Sequence, residues 1–138
     1  MKLKTLLLMI GLIACFQSFS QQIAGESQTR YITLTRNVQQ LVPILLAADE
    51  LAKEDGSNFG QYEIVICGQT VSELAKPEVM NPLLDLVKHD KIKVIACGFS
   101  LKKFGVDEAS IPEGMDIVQN GILYGFQLQK QGYYMISL

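Results

Sequence analysis

The sequence predicts an α/β domain built on a parallel sheet, and three observations support this prediction. Residues 62–67 and 92–96 are almost solidly apolar, as strands covered on both faces are. The stretches between such runs carry apolar residues at helical spacing. The chain has 138 residues, 49% of them hydrophobic, which suits one domain and is too short for two. Short apolar runs that alternate with helical stretches are typical of the parallel α/β class.

The first twenty residues resemble a secretory signal peptide, so we expect the domain to comprise residues 21–138. Lys2 and Lys4 precede an apolar run over residues 6–16, and a polar stretch with small residues follows. As a helix this run would span only about 16 Å, roughly half the hydrocarbon core of a bilayer. Its length argues against a membrane anchor.

Two cleavage sites compete within this segment. Ser18 and Ser20 supply the small residues that a signal peptidase needs, and cleavage there leaves Gln21 as the first residue of a periplasmic or secreted protein. Residues 12–15 instead resemble a lipobox, in which Cys15 would be lipidated and would hold the protein on a membrane. We favour cleavage after Ser20, because the run to Cys15 is short for a lipoprotein signal.

The charge balance argues against nucleic acid as a partner. The chain has 12 basic and 14 acidic side chains, and removal of Lys2 and Lys4 leaves 10 against 14, a net charge of −4. The basic residues are scattered and are not interleaved with aromatic residues. In an exported protein, the remaining Cys67 and Cys97 would form either a disulfide or a pair of working thiols.

The first half of the domain begins with an alternating, β-branched strand over residues 31–35. Asn37 then introduces a helix that ends at Gly56. Its buried face consists of apolar residues at helical spacing, namely Leu41, Ile44, Leu45 and Ala48. Residues 62–67 form the second strand.

The middle of the chain contains two signals for the start of a helix. Thr70 and Glu73 match a capping box, in which each side chain accepts from the amide of the other residue. Asn81 followed by Pro82 is a cap with proline in the first helical position. The stripe that this second helix buries is apolar and consists of Met80, Leu83, Leu84 and Val87. Residues 92–96 form the third strand.

Four further elements complete the predicted fold. Residues 99–104 form a short amphipathic segment, and residues 116–118 are long enough for a fourth strand. Residues 120–131 form the last helix and residues 133–137 the last strand. The last helix is apolar around most of its circumference, at Ile122, Leu123, Tyr124, Phe126 and Leu128. One stripe is enough to cover a sheet, so we expect part of this surface to contact another subunit.

Both cysteines of the domain end an apolar strand and precede a glycine, in the sequences IVICG and VIACG. In open α/β sheets, chemistry gathers beyond the carboxyl ends of the strands. Amides at the start of a following helix favour thiolate over thiol. Cys97 is better placed than Cys67, because groups that support a thiolate follow it, namely Gly98, Phe99, Ser100, Lys102 and Lys103. The alternative is that both cysteines are small core residues.

The chain resembles the DsrE/DsrF-like (YchN-like) sulfur-relay family. The resemblance rests on IKVIACGFSL at residues 92–101, an acidic loop with Pro112, the segment at residues 117–122, and LQKQGY at residues 128–133. It implies a three-layer α/β/α fold with a mostly parallel five-stranded sheet, and assembly into homo- or hetero-oligomers. It also implies that the cysteine after the third strand, Cys97, carries sulfur as a persulfide.

Three functions remain open at this point. The first is a sulfurtransferase-like carrier in which Cys97 exchanges sulfur with a donor or acceptor protein or a small thiol, without metal or cofactor. The second is a non-catalytic oligomeric module that binds a small anionic ligand or a partner. The third is a thiol–disulfide protein that uses Cys67 with Cys97, which the absence of a C-x-x-C motif disfavours.

Other candidate sites are weaker. His89 is the one histidine and stands among charged residues, which is typical of a solvated position without metal partners. Asp107 and Glu108 are adjacent and do not face one another. Residues 68–70 form a glycine turn that could bind an anion, but no nucleotide-binding motif accompanies it.

Overall fold

A computed structural model describes residues 28–138, in which five strands and four helices alternate. In chain order these elements are β1 (Thr29–Thr35), α1 (Leu41–Asp55), β2 (Phe59–Ile66), α2 (Pro77–Leu84), β3 (Ile92–Cys97), α3 (Gly98–Phe104), β4 (Asp116–Val118), α4 (Gly121–Lys130) and β5 (Tyr134–Ser137). The sheet has the order β4-β3-β2-β1-β5, and every pair of neighbouring strands is parallel. The predicted α/β class with a five-stranded parallel sheet is confirmed.

The helices cover both faces of the sheet. Side chains of α1, α2 and α3 pack with Ile64, Ile66 and Val94 in the larger core. On the opposite face, α4 packs with Val65 and Ile95 in a smaller core. Successive residues of a strand therefore pack into the two cores in turn, because their side chains point to opposite faces of the sheet.

The prediction for α1 is confirmed. Asn37 caps a short 3₁₀ turn ahead of the helix by accepting the N–H of Gln39 at 3.0 Å. Gly56 follows the last residue with a φ of 55°, a conformation that favours glycine. The predicted buried face is buried throughout, at Leu41, Ile44, Leu45 and Ala48.

The predicted capping box is wrong, because both side chains find distant partners. Residues Gln69–Glu73 form a 3₁₀ turn, not an α-helix. The Thr70 hydroxyl donates to the carbonyl of Arg36 at 2.9 Å. The Glu73 carboxylate accepts from the side-chain amide of Gln39 at 3.3 Å. These two contacts tie the turn to the segment after β1.

The predicted helix start at Asn81 and Pro82 is also wrong. The helix begins at Pro77, which occupies the first turn, and Pro82 lies inside the helix. Pro77 needs no amide partner there, so it can begin the helix instead. The predicted buried stripe is nevertheless present: Met80 is fully buried, and Leu83, Leu84 and Val87 pack against the same core.

The strands near the site have slightly different boundaries from those predicted. β2 begins at Phe59, and Cys67 is the first residue after it. The three residues that β2 has before the predicted start at Tyr62 include Gly60, which lies where the register between β1 and β2 shifts. A Cβ on Gly60 would lie 2.8 Å from Arg30 Cγ, so this position requires glycine. β3 includes Cys97, and β5 begins at Tyr134.

The signal peptide predicted for residues 1–20, with its alternative cleavage sites at Ser20 and Cys15, lies outside the described residues. Within residues 28–138, no helix has the length and apolarity needed to cross a membrane.

Candidate functional site

Parallel pairing places the two cysteines side by side. Ile66 of β2 pairs with Ala96 of β3, and a cysteine follows each of them. Cys67 and Cys97 belong to the smaller core, so both face α4. The two thiols are not bonded to each other. The expectation that both lie at the carboxyl edge of the sheet therefore agrees with the geometry.

The sulfur of Cys97 lies at the start of α4. Gly121, the first residue of that helix, directs its N–H to Cys97 Sγ at an N···S distance of 3.3 Å. The side chain of Asn120 caps the helix by accepting from the amides of Ile122 and Leu123. With those two amides satisfied, the Gly121 amide is left to donate to the thiol.

The approach of α4 to the cysteines depends on Gly121 having no side chain. A Cβ at this position would lie 2.6 Å from Cys67 Sγ, 2.8 Å from Val65 Cγ1 and 3.4 Å from Cys97 Cβ. Each of the first two distances is shorter than a real contact. Any larger residue would push the helix start away from both cysteines.

Ser100 connects the two strand ends. Its Oγ accepts the N–H of Gly68, the residue after Cys67, at 2.9 Å. Hydrogen bonding by its hydroxyl and its backbone N–H lowers the pKa of Cys97. Because the Gly68 amide occupies a lone pair of the hydroxyl, the hydroxyl hydrogen is free to point at the Cys97 sulfur.

The two thiols differ in acidity. Burial raises the pKa of Cys97, but hydrogen bonds from Ser100 and Gly121 outweigh burial and hold this pKa below its ordinary value. Burial raises the pKa of Cys67 to about 12, and the charge and hydrogen bond of Cys97 add to that shift. Arg36 opposes the shift. Cys97 is therefore the more acidic of the two thiols, and Cys67 is the less acidic.

The residues that the sequence indicated as support for the thiolate divide into two groups. Ser100 borders the cavity that contains the cysteines, whereas Gly98 faces β4, where a Cβ would be 3.2 Å from the carbonyl oxygen of Val118. The N–H of Phe99 donates to the carbonyl of Gln119 at 2.8 Å, so it is not available to the sulfur.

The lysines are placed differently from one another. Lys103 borders the cavity that contains the cysteines, whereas Lys102 borders another depression. The largest contributions that lower the Cys97 pKa come from Ser100 and Gly121.

Sequence reasoning missed Gly121, which lies 24 residues after Cys97. The pair Asn120–Gly121, a cap followed by a residue without a side chain, was the signal for it.

Both thiols open onto a cavity of about 380 Å³. Its lining includes two cationic side chains, Arg36 and Lys103, and no carboxylate among the described residues that form its wall. Neither cation takes part in an ion pair within residues 28–138. The cavity is therefore suited to a small anion or an anionic side chain.

The weaker candidates stay apart from this site. His89 Nδ1 lies 3.1 Å from the carboxylate of Asp90, and its ring packs edge-on against Phe59. Asp107 caps a 3₁₀ turn by accepting the N–H of Ala109. The Gly68 amide is used by Ser100, so the turn at residues 68–70 does not offer that amide to an anion. Within residues 28–138, no group of side chains could hold a metal ion.

The fold is shared with solved structures of other proteins. No family model and no curated protein matches the chain. A protein of unknown function from Methanobacterium thermoautotrophicum, MTH1491, is 17% identical with a TM-score of 0.69, over 80% of this chain and 100% of its own. A conserved protein of unknown function from Bacteroides thetaiotaomicron, BT1422, is 19% identical with a TM-score of 0.61, over 84% and 100%. At these identities the similarity shows the fold alone.

Proposed function

We propose that the protein accepts and passes on sulfane sulfur as a persulfide on Cys97, as its resemblance to the DsrE/DsrF-like family implies. The observation that carries the proposal is the Gly121 N–H directed at Cys97 Sγ at 3.3 Å, and hydrogen bonding by Ser100 adds to its lowering of the Cys97 pKa. These donors favour the thiolate, which is the nucleophilic form of cysteine. A sulfur carrier needs such a nucleophile and a space in which a donor can reach it.

The cavity supports an anionic donor. Arg36 and Lys103 would bind its negative charge while Cys97 attacks its sulfane sulfur. With thiosulfate as the simplest probe, a bond forms between Cys97 Sγ and the outer sulfur, and the S–S bond of thiosulfate breaks. Sulfite leaves with the bonding electron pair, and Cys97 becomes a persulfide anion without transfer of a proton.

Access to the sulfur is through the cavity. Cys97 is only 4% exposed, yet it forms part of the cavity wall. A volume of about 380 Å³ is sufficient for a small anion or for the persulfide side chain of a donor protein.

The proposal is tested by exposing the protein to thiosulfate or polysulfide, trapping with an alkylating agent at early times, and mapping the peptides by mass. We expect the Cys97 peptide to gain about 32 Da, one sulfur atom, before trapping. Cys97→Ser should abolish the gain, and Cys67→Ser should retain it. The proposal fails if the Cys97 peptide gains no sulfur from either donor.

A non-catalytic oligomeric module of the same fold is the second candidate, and exposed apolar side chains on α4 favour it. Ile122, Leu123 and Phe126 are each more than half exposed. Self-association would cover them. Sedimentation of the domain as a monomer of about 13 kDa at micromolar concentration would contradict assembly, on roughly 110 Da per residue.

We also propose that the protein is exported and begins at Gln21. The support is the sequence of residues 1–20, with small residues at Ser18 and Ser20. Intact mass of the protein isolated from its own cells tests this. A mass that begins at a diacylglycerol-modified Cys15 would place the protein on a membrane instead.

A further inference from the structure

We propose that Cys67 discharges the Cys97 persulfide. In this step the Cys67 thiol attacks the inner sulfur, a Cys67–Cys97 disulfide forms, and the outer sulfur leaves as hydrosulfide. The inference rests on the proposed persulfide at Cys97 and adds an activity to it, because the sulfur would leave as a small anion without an acceptor protein.

The first argument is the position of the two cysteines. They occupy equivalent places on neighbouring parallel strands, one residue beyond the pair Ile66 and Ala96, and both face α4. Neighbouring strands lie about 5 Å apart, which is within the Cα range of a disulfide. The spacing of the two strands is therefore compatible with a disulfide between the cysteines.

The second argument concerns which sulfur Cys67 can reach. Cys67 Sγ lies beside Cys97 at the start of α4, because a Cβ on Gly121 would be 2.6 Å from Cys67 Sγ and 3.4 Å from Cys97 Cβ. The Cys97 sulfur becomes the inner sulfur once a persulfide forms. The contact of Cys67 Sγ with the position of a Cβ on Gly121, at 2.6 Å, leaves no room for an outer sulfur between Cys67 and α4. The outer sulfur then occupies the cavity. Attack on the inner sulfur releases it, whereas attack on the outer sulfur would only move it to Cys67.

The step balances without a further reactant. The Cys67 proton passes to the outer sulfur, the Cys67–Cys97 S–S bond forms, and the persulfide S–S bond breaks. The outer sulfur takes the electron pair of the broken bond and leaves as hydrosulfide, so it is reduced while the Cys67 thiol is oxidised. A dithiol reductant returns both cysteines to thiols by disulfide exchange.

The charges around the pair support this sequence of events. Burial is the largest cause of the raised Cys67 pKa, but the negative charge on Cys97 contributes. In the persulfide, that charge lies on the outer sulfur, in the cavity that Arg36 and Lys103 border. Cys67 would then face a neutral inner sulfur, and loss of its proton becomes easier.

The experiment charges the full-length protein with thiosulfate, removes excess donor by desalting, and follows hydrosulfide and the peptide map over time. We expect the wild type to release about one hydrosulfide per chain as a Cys67–Cys97 disulfide appears. Cys67→Ser and Cys67→Ala should keep the extra sulfur on Cys97 and release hydrosulfide at least about tenfold more slowly. Circular dichroism of both variants checks that they are folded.

The outcomes separate this inference from the proposed function. If the wild type keeps its persulfide as long as the Cys67 variants do, the discharge step is refuted and the carrier remains. If neither the wild type nor the variants gain sulfur at Cys97, the carrier itself is refuted. Hydrosulfide release with a disulfide to any cysteine other than Cys67 also overturns the inference.

Discussion

The strand end at Cys67 and the strand end at Cys97 have the same local sequence, an apolar strand followed by Cys and Gly. After Cys67, Gly68 adopts a φ of 76° and leads into a 3₁₀ turn, whereas Gly98 begins α3 directly. Cys97 gains donors from Ser100 and from the start of α4, but Cys67 is buried beside the Cys97 charge. The comparison teaches that the shared Cys-Gly motif does not decide which cysteine is the more acidic, because Ser100 in α3 and Gly121 at the start of α4 both lower the Cys97 pKa.

The largest expected effect is a difference in alkylation between the two cysteines. With Cys67 at a pKa of about 12 and Cys97 below its ordinary value, their thiolate fractions at neutral pH differ by more than about a thousandfold. Iodoacetamide should therefore modify Cys97 first, although Cys67 is the more exposed. The Cys97 rate should rise with pH and level off at its lowered pKa, while the Cys67 rate keeps rising to higher pH. Equal alkylation rates of Cys67 and Cys97 at neutral pH would contradict the difference in acidity between the two thiols.

Gly121→Ala should disrupt both strand ends at once. Its Cβ would overlap Cys67 and Val65, so we expect a loss of about 1–3 kcal/mol in unfolding free energy and slower alkylation of Cys97. Gly125→Ala in the same helix is the matched control. A Cβ there would lie 3.0 Å from Leu34 Cδ1, the end of a flexible side chain, and alanine favours the helix. If thermal unfolding shows that Gly125→Ala is less stable than Gly121→Ala, the close packing described at Gly121 is contradicted.

Ser100→Ala should reduce the difference in acidity between the two cysteines, because it should make Cys97 less acidic. The variant loses a donor to Cys97 and leaves the Gly68 amide without its partner. We expect the pKa of Cys97 to rise, which slows its alkylation at every pH below that pKa. Ser72→Ala is the control, because the Ser72 hydroxyl donates to the carbonyl of Gln69 away from the thiols. An unchanged Cys97 pH profile in Ser100→Ala would show that the hydroxyl does not stabilise the thiolate.

The smallest effect is expected from the lysines. Lys103→Gln should slow sulfur uptake from thiosulfate roughly two- to threefold, because Lys103 borders the cavity, and added salt should reduce the difference. Lys102→Gln, one residue earlier, should have less effect. Alkylation of Cys97 by neutral iodoacetamide should be unchanged in both variants. Equal slowing by the two substitutions would indicate a general surface charge effect instead of binding in the cavity.

The parts of the fold that depend on periodicity could be predicted from the sequence. The face of α1 that carries Leu41 and Ala48 repeats at helical spacing, and the solid apolar runs ending at Cys67 and Cys97 indicate strands covered on both faces. Each of these patterns reflects which side chains of one helix or strand are buried, so it can be recognised within that element alone. They were sufficient to place both cysteines at one edge of the sheet.

The parts that depend on partners far along the chain could not be predicted in this way. Thr70 and Glu73 match a local capping box, yet each bonds to the segment after β1 instead. The donors to Cys97 were assigned to the following helix, but the Gly121 amide comes from a later one. Such contacts follow from the packing of α4 on the sheet, and a local pattern does not contain that information.

The central claim is that Cys97 is a working thiol and not half of a structural bridge, and a non-reducing peptide map of the resting protein tests it most directly. After treatment with a mild reductant, we expect Cys67 and Cys97 to be recovered as separate peptides, with Cys97 alkylated first. Any disulfide formed during discharge should be removed by the same treatment. A stoichiometric Cys67–Cys97 bond that resists the reductant would make the pair structural and would contradict the account.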